Sequence, residues 1–181
     1  MTTNALSIRG ACGLTLALLA FGCSARAEIP EVVVTQSDVE FEGVPRIPGF
    51  TAPTEVNTTF DHPEGFGLPE YFNPELYATH VKVMARGDMQ DLSFISEMTL
   101  TLASRAEDAP PPKIVARYER TQTGFVGREL ELETDSESDV LEYWGTKQAF
   151  YTMTLSSDDL PEEAWSVDVV VNFTGELSVG E

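Results

Sequence analysis

Apolar and polar side chains alternate with a period of two along much of this chain. From Thr79 to Arg86, Val81, Val83 and Ala85 alternate with His80, Lys82 and Met84. Phe94, Ser96, Met98, Leu100 and Leu102 fall opposite Thr99 and Thr101, and Val167, Val169, Val171 and Phe173 fall opposite Asp168, Val170 and Asn172. Successive side chains of a strand point to opposite faces, so each run has one face for a core and one for solvent. Shorter segments rich in β-branched and aromatic residues extend the pattern: Val32 to Thr35, Val39 to Phe41, Glu55 to Phe60, Ile114 to Tyr118, Glu129 to Glu133 and Ala149 to Leu155. Helical spacing is nearly absent. The strongest hints are Asp139 to Tyr143 and a single turn at Pro161 to Ala164.

Turn signals separate the runs, at Pro45 to Pro53, Asp61 to Pro74, Arg86-Gly87-Asp88, Asp108 to Pro112, Thr123-Gly124 and Ser156 to Pro161. A parallel connection needs a dozen or more residues, usually helical, and none is visible. The expected fold class is therefore all-β. An antiparallel β-sandwich, jelly-roll or immunoglobulin-like, of about eight or nine strands in one domain lets two amphipathic sheets bury each other's apolar faces.

The first residues read differently. Arg9 is followed by an uncharged, mostly apolar run of 13 residues from Gly10 to Gly22 and then by small residues, the three parts of a secretory signal. The run is shorter than the roughly 20 residues a membrane-spanning helix needs. Two cleavage sites are readable. Ala25-Arg26-Ala27 has the small-x-small pattern of ordinary signal peptidase, which would release a soluble chain starting at Glu28. Leu19-Ala20-Phe21-Gly22-Cys23-Ser24 resembles the lipobox of bacterial lipoproteins, which implies that Cys23 is lipidated and becomes the first mature residue. The preferred division is a signal peptide over residues 1–22 (alternatively cleaved after 27), a short tether over 23–30 and a β-sandwich domain over 31–181. The expected location is extracytoplasmic: an outer-membrane or cell-surface lipoprotein, or alternatively a soluble secreted or periplasmic protein. With only Cys12 and Cys23 present, no disulfide forms within the domain, and stability rests on an ordinary hydrophobic core.

All 30 acidic residues lie at or after Glu28, whereas Arg9 and Arg26 precede it, leaving nine basic residues and a net charge of −21 for the domain. Such a surface repels nucleic acid and anionic headgroups, so no nucleic-acid partner is expected. Acidity of this kind serves solubility. It also suits cation binding or docking to a basic partner.

A catalytic constellation is not legible, and the chain is not expected to be an enzyme. Neither cysteine is left for nucleophilic work, and the two histidines, His62 in a turn and His80 on a polar strand face, have no zinc-binding spacing. No serine stands in a nucleophile-elbow motif, and no glycine-rich loop has phosphate-binding form. Two features stand out from this background. Asp135, Glu137 and Asp139 place carboxylates at alternate positions in an acidic loop. Calcium takes six to eight oxygen ligands, so these three form a weak calcium candidate, although the loop lacks the glycine and distal glutamate of an EF-hand. No other cofactor is expected. The second feature is the long loop from Asp61 to Leu76, whose Phe66, Leu68, Tyr71 and Phe72 would either cap one end of the sandwich or form an apolar binding patch.

Asp91-Leu92-Ser93-Phe94-Ile95, followed by Met98-Thr99-Leu100-Thr101-Leu102, resembles a pattern of uncharacterised bacterial secreted or lipoprotein β-sandwich domains, in which such a turn leads into a long alternating strand. A closing strand in those domains is similar to Trp165 to Thr174. The resemblance implies the fold and export, and it brings no catalytic residue or ligand with it.

The function class that fits best is a non-enzymatic cell-envelope accessory protein, a lipid-anchored acidic β-sandwich with a binding or structural role. Its membrane contact would run through the lipid on Cys23, and an envelope protein or carbohydrate is the further partner class. The alternatives are a calcium-dependent adhesion or carbohydrate-binding module and, behind it, a secreted hydrolase.

Overall fold

The computed structural model describes residues 26–45, 55–61, 73–107, 109–121, 125–135, 139–143, 148–157 and 159–178. Eight strands are present among them: β1 (Arg26–Phe41), β2 (Glu55–Asp61), β3 (Asn73–Ala85), β4 (Ile95–Ser104), β5 (Lys113–Glu119), β6 (Glu129–Thr134), β7 (Ala149–Ser157) and β8 (Trp165–Ser178). One 3-10 turn, Leu141–Tyr143, stands where the helical hint was strongest, whereas residues 161–164 form a bend with no helical turn. Among the described residues no helix is long and apolar enough to cross a membrane.

Every described pairing is antiparallel, in the single order β1-β8-β3-β6-β5-β4-β7-β2. The strands thus form one continuous sheet. Its weakest joint is β5–β6, paired only at Ala116↔Thr134 and Arg117↔Glu133. The sheet curls until Cα atoms of its two end strands, β1 and β2, approach within 8 Å. Their seam carries no strand pairing among the described residues. Curling follows from chemistry: each strand has one apolar face, and bending those faces inward removes them from water together.

The core is built by the alternation. Val81, Val83 and Ala85 of β3, Met98, Leu100 and Leu102 of β4, Tyr151, Met153 and Leu155 of β7, and Trp165, Val167, Val169, Val171 and Phe173 of β8 are all buried. Each of the Val, Leu, Met and Phe side chains among them contributes about 1.5 to 3 kcal/mol on leaving water. The polar partners on the other face stay accessible, and Lys82 there pairs with Glu129 at 3.0 Å.

Strands β1, β3 and β4 change frame partway, each at an irregularity in pairing, and β5 has a further slip against β4 at Val115, where Val115 and Ala116 are both buried. β1 puts Ile29, then Val34, then Val39 and Phe41 into the core, with slips between Ile29 and Val32 and between Gln36 and Val39. β3 changes from Leu76 and Ala78 to Val81 and Val83 across a slip between Ala78 and His80. β4 slips against β7 between Ile95 and Glu97. One extra residue turns every following side chain to the other face. This corrects the expectation for β4. Ile95 takes the core position, and Phe94 and Ser96, which a strict alternation would bury, are only half-buried. Phe94 instead packs edge-on against Trp165, with ring centres 5.2 Å apart, while Phe41 stacks on that indole at 4.3 Å.

β1 also corrects the tether. It begins at Arg26, paired with Ser178, so residues 26–30 are strand. Gly175 of β8 lies at this end, where a Cβ would fall 2.1 Å from the Glu75 carbonyl oxygen and 2.9 Å from Ile29 Cδ1. Only a residue without a side chain lets β3 and β1 come this close to β8.

Two outcomes are expected from this packing. Circular dichroism of the domain from Glu28 onward should show mostly β-structure. Urea denaturation should place Leu100→Ala about 2 to 5 kcal/mol below the parent, with Phe94→Ala losing less because its ring is only partly removed from water. Equal losses would mean that the frame change in β4 is misplaced.

Candidate functional site

Asp139 is the calcium candidate whose surroundings are clearest. Its Oδ1 accepts the backbone N–H groups of Leu76 and Leu141, both at 2.9 Å. The carboxylate therefore caps the 3-10 turn and ties it to β3. The carbonyl oxygen of Asp139 accepts Lys113 Nζ at 2.5 Å. Asp135 follows β6, and its backbone N–H donates to the Val115 carbonyl at 3.3 Å. Glu137 lies outside the described residues, as do Cys23, His62, Phe66, Leu68, Tyr71 and Phe72. His80 is half-buried on the outer face of β3. Among the described residues no group of three or more His, Cys, Asp or Glu side chains converges as metal ligands would.

A more connected carboxylate is Asp91, in the turn that leads into β4. Its Oδ1 accepts the N–H groups of Ser93 at 3.0 Å, Gly127 at 3.1 Å and Val126 at 3.3 Å, and its Oδ2 accepts the Ser93 hydroxyl. The contact to Ser93 is an Asx turn, the local bond that Asp-x-Ser sequences favour. Those to residues 126 and 127 bridge to the segment before β6. Leu92, fully buried, donates its N–H to the Gly127 carbonyl at 2.8 Å and closes the same junction. The Ser93 hydroxyl, helped by the three backbone N–H groups, holds the Asp91 carboxyl below its ordinary value against the opposing effect of desolvation.

A third carboxylate organises the β1 edge. Asp38 has φ +62°, the left-handed region that non-glycine residues rarely occupy and aspartate tolerates better than most. Its N–H donates to Asp168 Oδ1 at 3.0 Å, and the same oxygen accepts Arg86 Nη1 at 3.1 Å. Arg86 Nε lies 3.9 Å from Asp38 Oδ1. The bulge between Gln36 and Val39 is thus pinned to β8 and to the end of β3. Sequence reasoning passed over it because Val32 to Thr35 and Val39 to Phe41 read as two separate short strand segments.

Two concavities frame the sheet. One, of about 640 Å³, lies at the starting end of β1, where Glu28, Glu31 and Glu176 surround Tyr77. The Tyr77 hydroxyl donates to Glu75 Oε2 at 2.5 Å, and that bond, aided by desolvation and surrounding negative charge, raises the phenol to about 12. The second, of about 610 Å³, is the cleft between the end strands. Gln36, Val39 and Phe41 of β1 face Asn57, Thr58 and Phe60 of β2 across it, and Asp38, Glu40 and Glu42 stand at its rim. The cleft was not legible in the sequence because it arises where strands far apart in sheet order meet through curvature.

Buried polar groups are few. Ser157 is the buried polar residue among the described ones, and its hydroxyl accepts the Asp159 N–H at 3.0 Å. Tyr143, fully buried, donates its hydroxyl to the Pro111 carbonyl, and burial first of all pushes its pKa up. Trp165 Nε1 is buried with no hydrogen-bond partner among the described residues.

No protein-family model matches the chain, and no curated protein matches it in sequence.

The Asp91 junction yields a pH-dependent prediction. Because the folded carboxyl titrates below the ordinary value of 3.8, its stabilisation is complete above that value and is lost as pH falls through the lowered one. Asp91→Ala should lower stability at neutral pH by about 2 kcal/mol, as expected for several hydrogen bonds to one charged acceptor. Urea midpoints of parent and variant should converge as pH is taken well below 3.8, and a gap that stays constant would refute the role. At the bulge, Asp38→Val should cost about 1 to 2 kcal/mol because a β-branched residue resists left-handed backbone, while Asp38→Gly should cost less. The same denaturation assay distinguishes them.

Proposed function

We propose that this chain is a non-enzymatic accessory protein of a bacterial cell envelope, exported and held at a membrane surface by a lipid on Cys23, with a binding role carried by its acidic β-domain. The single observation that supports the tether is the start of β1 at Arg26, paired with Ser178 of β8. Processing at Cys23 leaves this strand whole. Cleavage after Ala27 would remove its first two residues and their pairings. Only Ser24 and Ala25 then separate the lipidated residue from the folded domain, so the domain stands close to the lipid.

Within the same proposal, the two halves of the curled sheet act as the layers of a jelly-roll or immunoglobulin-like sandwich. The narrow β5–β6 joint and the single core shared by both halves favour it. The binding role is favoured over catalysis by the work the best-connected carboxylates do. Asp91, Asp139 and Asp168 spend their oxygens on backbone N–H groups. A general acid or base needs instead to face a substrate.

Fractionation of cells expressing the full chain tests the tether directly. The parent should sediment with membranes and gain mass consistent with acylation, since each buried methylene adds about 0.8 kcal/mol and more than one acyl chain suffices for stable anchoring. Cys23→Ser should be found soluble and unmodified. A parent protein recovered soluble and starting at Glu28 would overturn the lipid anchor.

A further inference from the structure

We infer that the cleft between β1 and β2 receives an extended, lysine- or arginine-bearing segment of a partner protein, which adds as a strand along the free edge of β1. This deepens the binding role proposed above and does not depend on the lipid anchor.

The edge itself is the first ground. β1 is 16 residues long and pairs along one side with β8, so among the described residues its other side carries no strand. Alternate residues of such an edge present N–H and C=O groups outward, and an added strand satisfies them in register. Over most sheets that edge faces open solvent. Here it faces β2 across a space of about 610 Å³, and because Cα atoms of the two strands come within 8 Å, β2 has to shift outward for an added strand to fit.

The lining is the second ground. Val39 and Phe41 from β1 and Phe60 from β2 make the cleft apolar at its base. Glu40 and Glu42 are exposed along the β1 side, whereas the Asp38 carboxylate already lies 3.9 Å from Arg86 Nε. A segment alternating apolar and basic residues would place one set on the base and the other against these carboxylates, because its side chains also alternate. The same carboxylates select against a second copy of this chain, whose net charge is −19 and whose corresponding edge is equally acidic.

The third ground is the shallow burial of β2. Its side chains are alternately exposed and half-buried along the whole strand, with none fully buried. It pairs with β7 over all seven of its residues, with Phe60 stacked on Tyr151, and with no other described strand. β1 is anchored further, by Asp38 N–H to Asp168 and by the stack of Phe41 on Trp165. Of the two walls, β2 is therefore the one that has to shift when a strand is added.

The test uses the exported, processed protein and a fluorescein-labelled peptide of alternating lysine and valine, about eight residues long to match an ordinary strand. Anisotropy should show saturable binding that weakens as salt is raised. The double variant Glu40→Lys/Glu42→Lys should weaken binding about tenfold. Glu131→Lys/Glu133→Lys, an equal charge change on exposed positions of distant β6, should leave it nearly unchanged. Amide hydrogen exchange on the complex should slow between Gln36 and Glu42. Absence of saturable binding, equal weakening by the two double variants, or binding without protection of β1 would each overturn the inference. None of these outcomes bears on membrane fractionation, so this failure and that of the lipid anchor remain distinguishable.

Discussion

β8 is held on both sides for most of its length. It pairs with β1 from Arg26↔Ser178 to Phe41↔Trp165 and with β3 from Asn73↔Ser178 to Ala85↔Val167. Its inward residues from Trp165 to Gly175 are all buried. The two strands it joins come from the beginning and the middle of the described chain, so neither can find its place by local hairpin formation. The closure cost of such distant pairings is repaid only when β8 is in place. The free edge of β1, the bulge at Asp38 and the cleft beyond it all inherit their positions from this strand.

Curvature is the second dependency. A flat sheet of these strands would leave one apolar face in water, and eight twisted strands with local slips roll that face inward. The slips are what allow a long strand such as β1 to keep contact with the core while the sheet bends: Ile29, Val34 and Val39 all face inward although strict alternation would not allow it. The left-handed Asp38 is the sharpest of these adjustments, and its bond to Asp168 offsets part of the conformational cost. Rolling brings β2 back toward β1 without pairing the two, and the cleft results.

The acidity of the chain divides into two kinds. Most carboxylates are exposed and solvated, where they keep copies apart. Asp91, Asp139 and Asp168 act as acceptors for backbone N–H groups at irregular points, a turn, a cap and a bulge, where the ladder of strand hydrogen bonds is interrupted. The calcium candidate is instructive here. Alternate acidic positions suggested a shared ligand set, but Asp139 turns its Oδ1 toward Leu76 and Leu141.

The alternation of Val81-Val83-Ala85, Leu100-Leu102 and Val167 to Phe173 determined by itself that the chain is all-β, where most strands lie and which faces form the core. A period of two leaves an amphipathic segment no other way to bury its apolar side. The two short segments Val32 to Thr35 and Val39 to Phe41 proved to be one strand with a bulge at Ser37-Asp38, because local propensity does not show that both sides of an interruption pair with the same neighbour. Phe94 and Ile95 exchanged roles for a related reason: the inserted residue in β4 is defined only against β7. Strand order, the Asp91 junction between segments 35 residues apart and the β1–β2 cleft belong to the tertiary structure alone. Each is set by which strands meet, and pairing between distant segments is decided by how all the apolar faces can be closed at once.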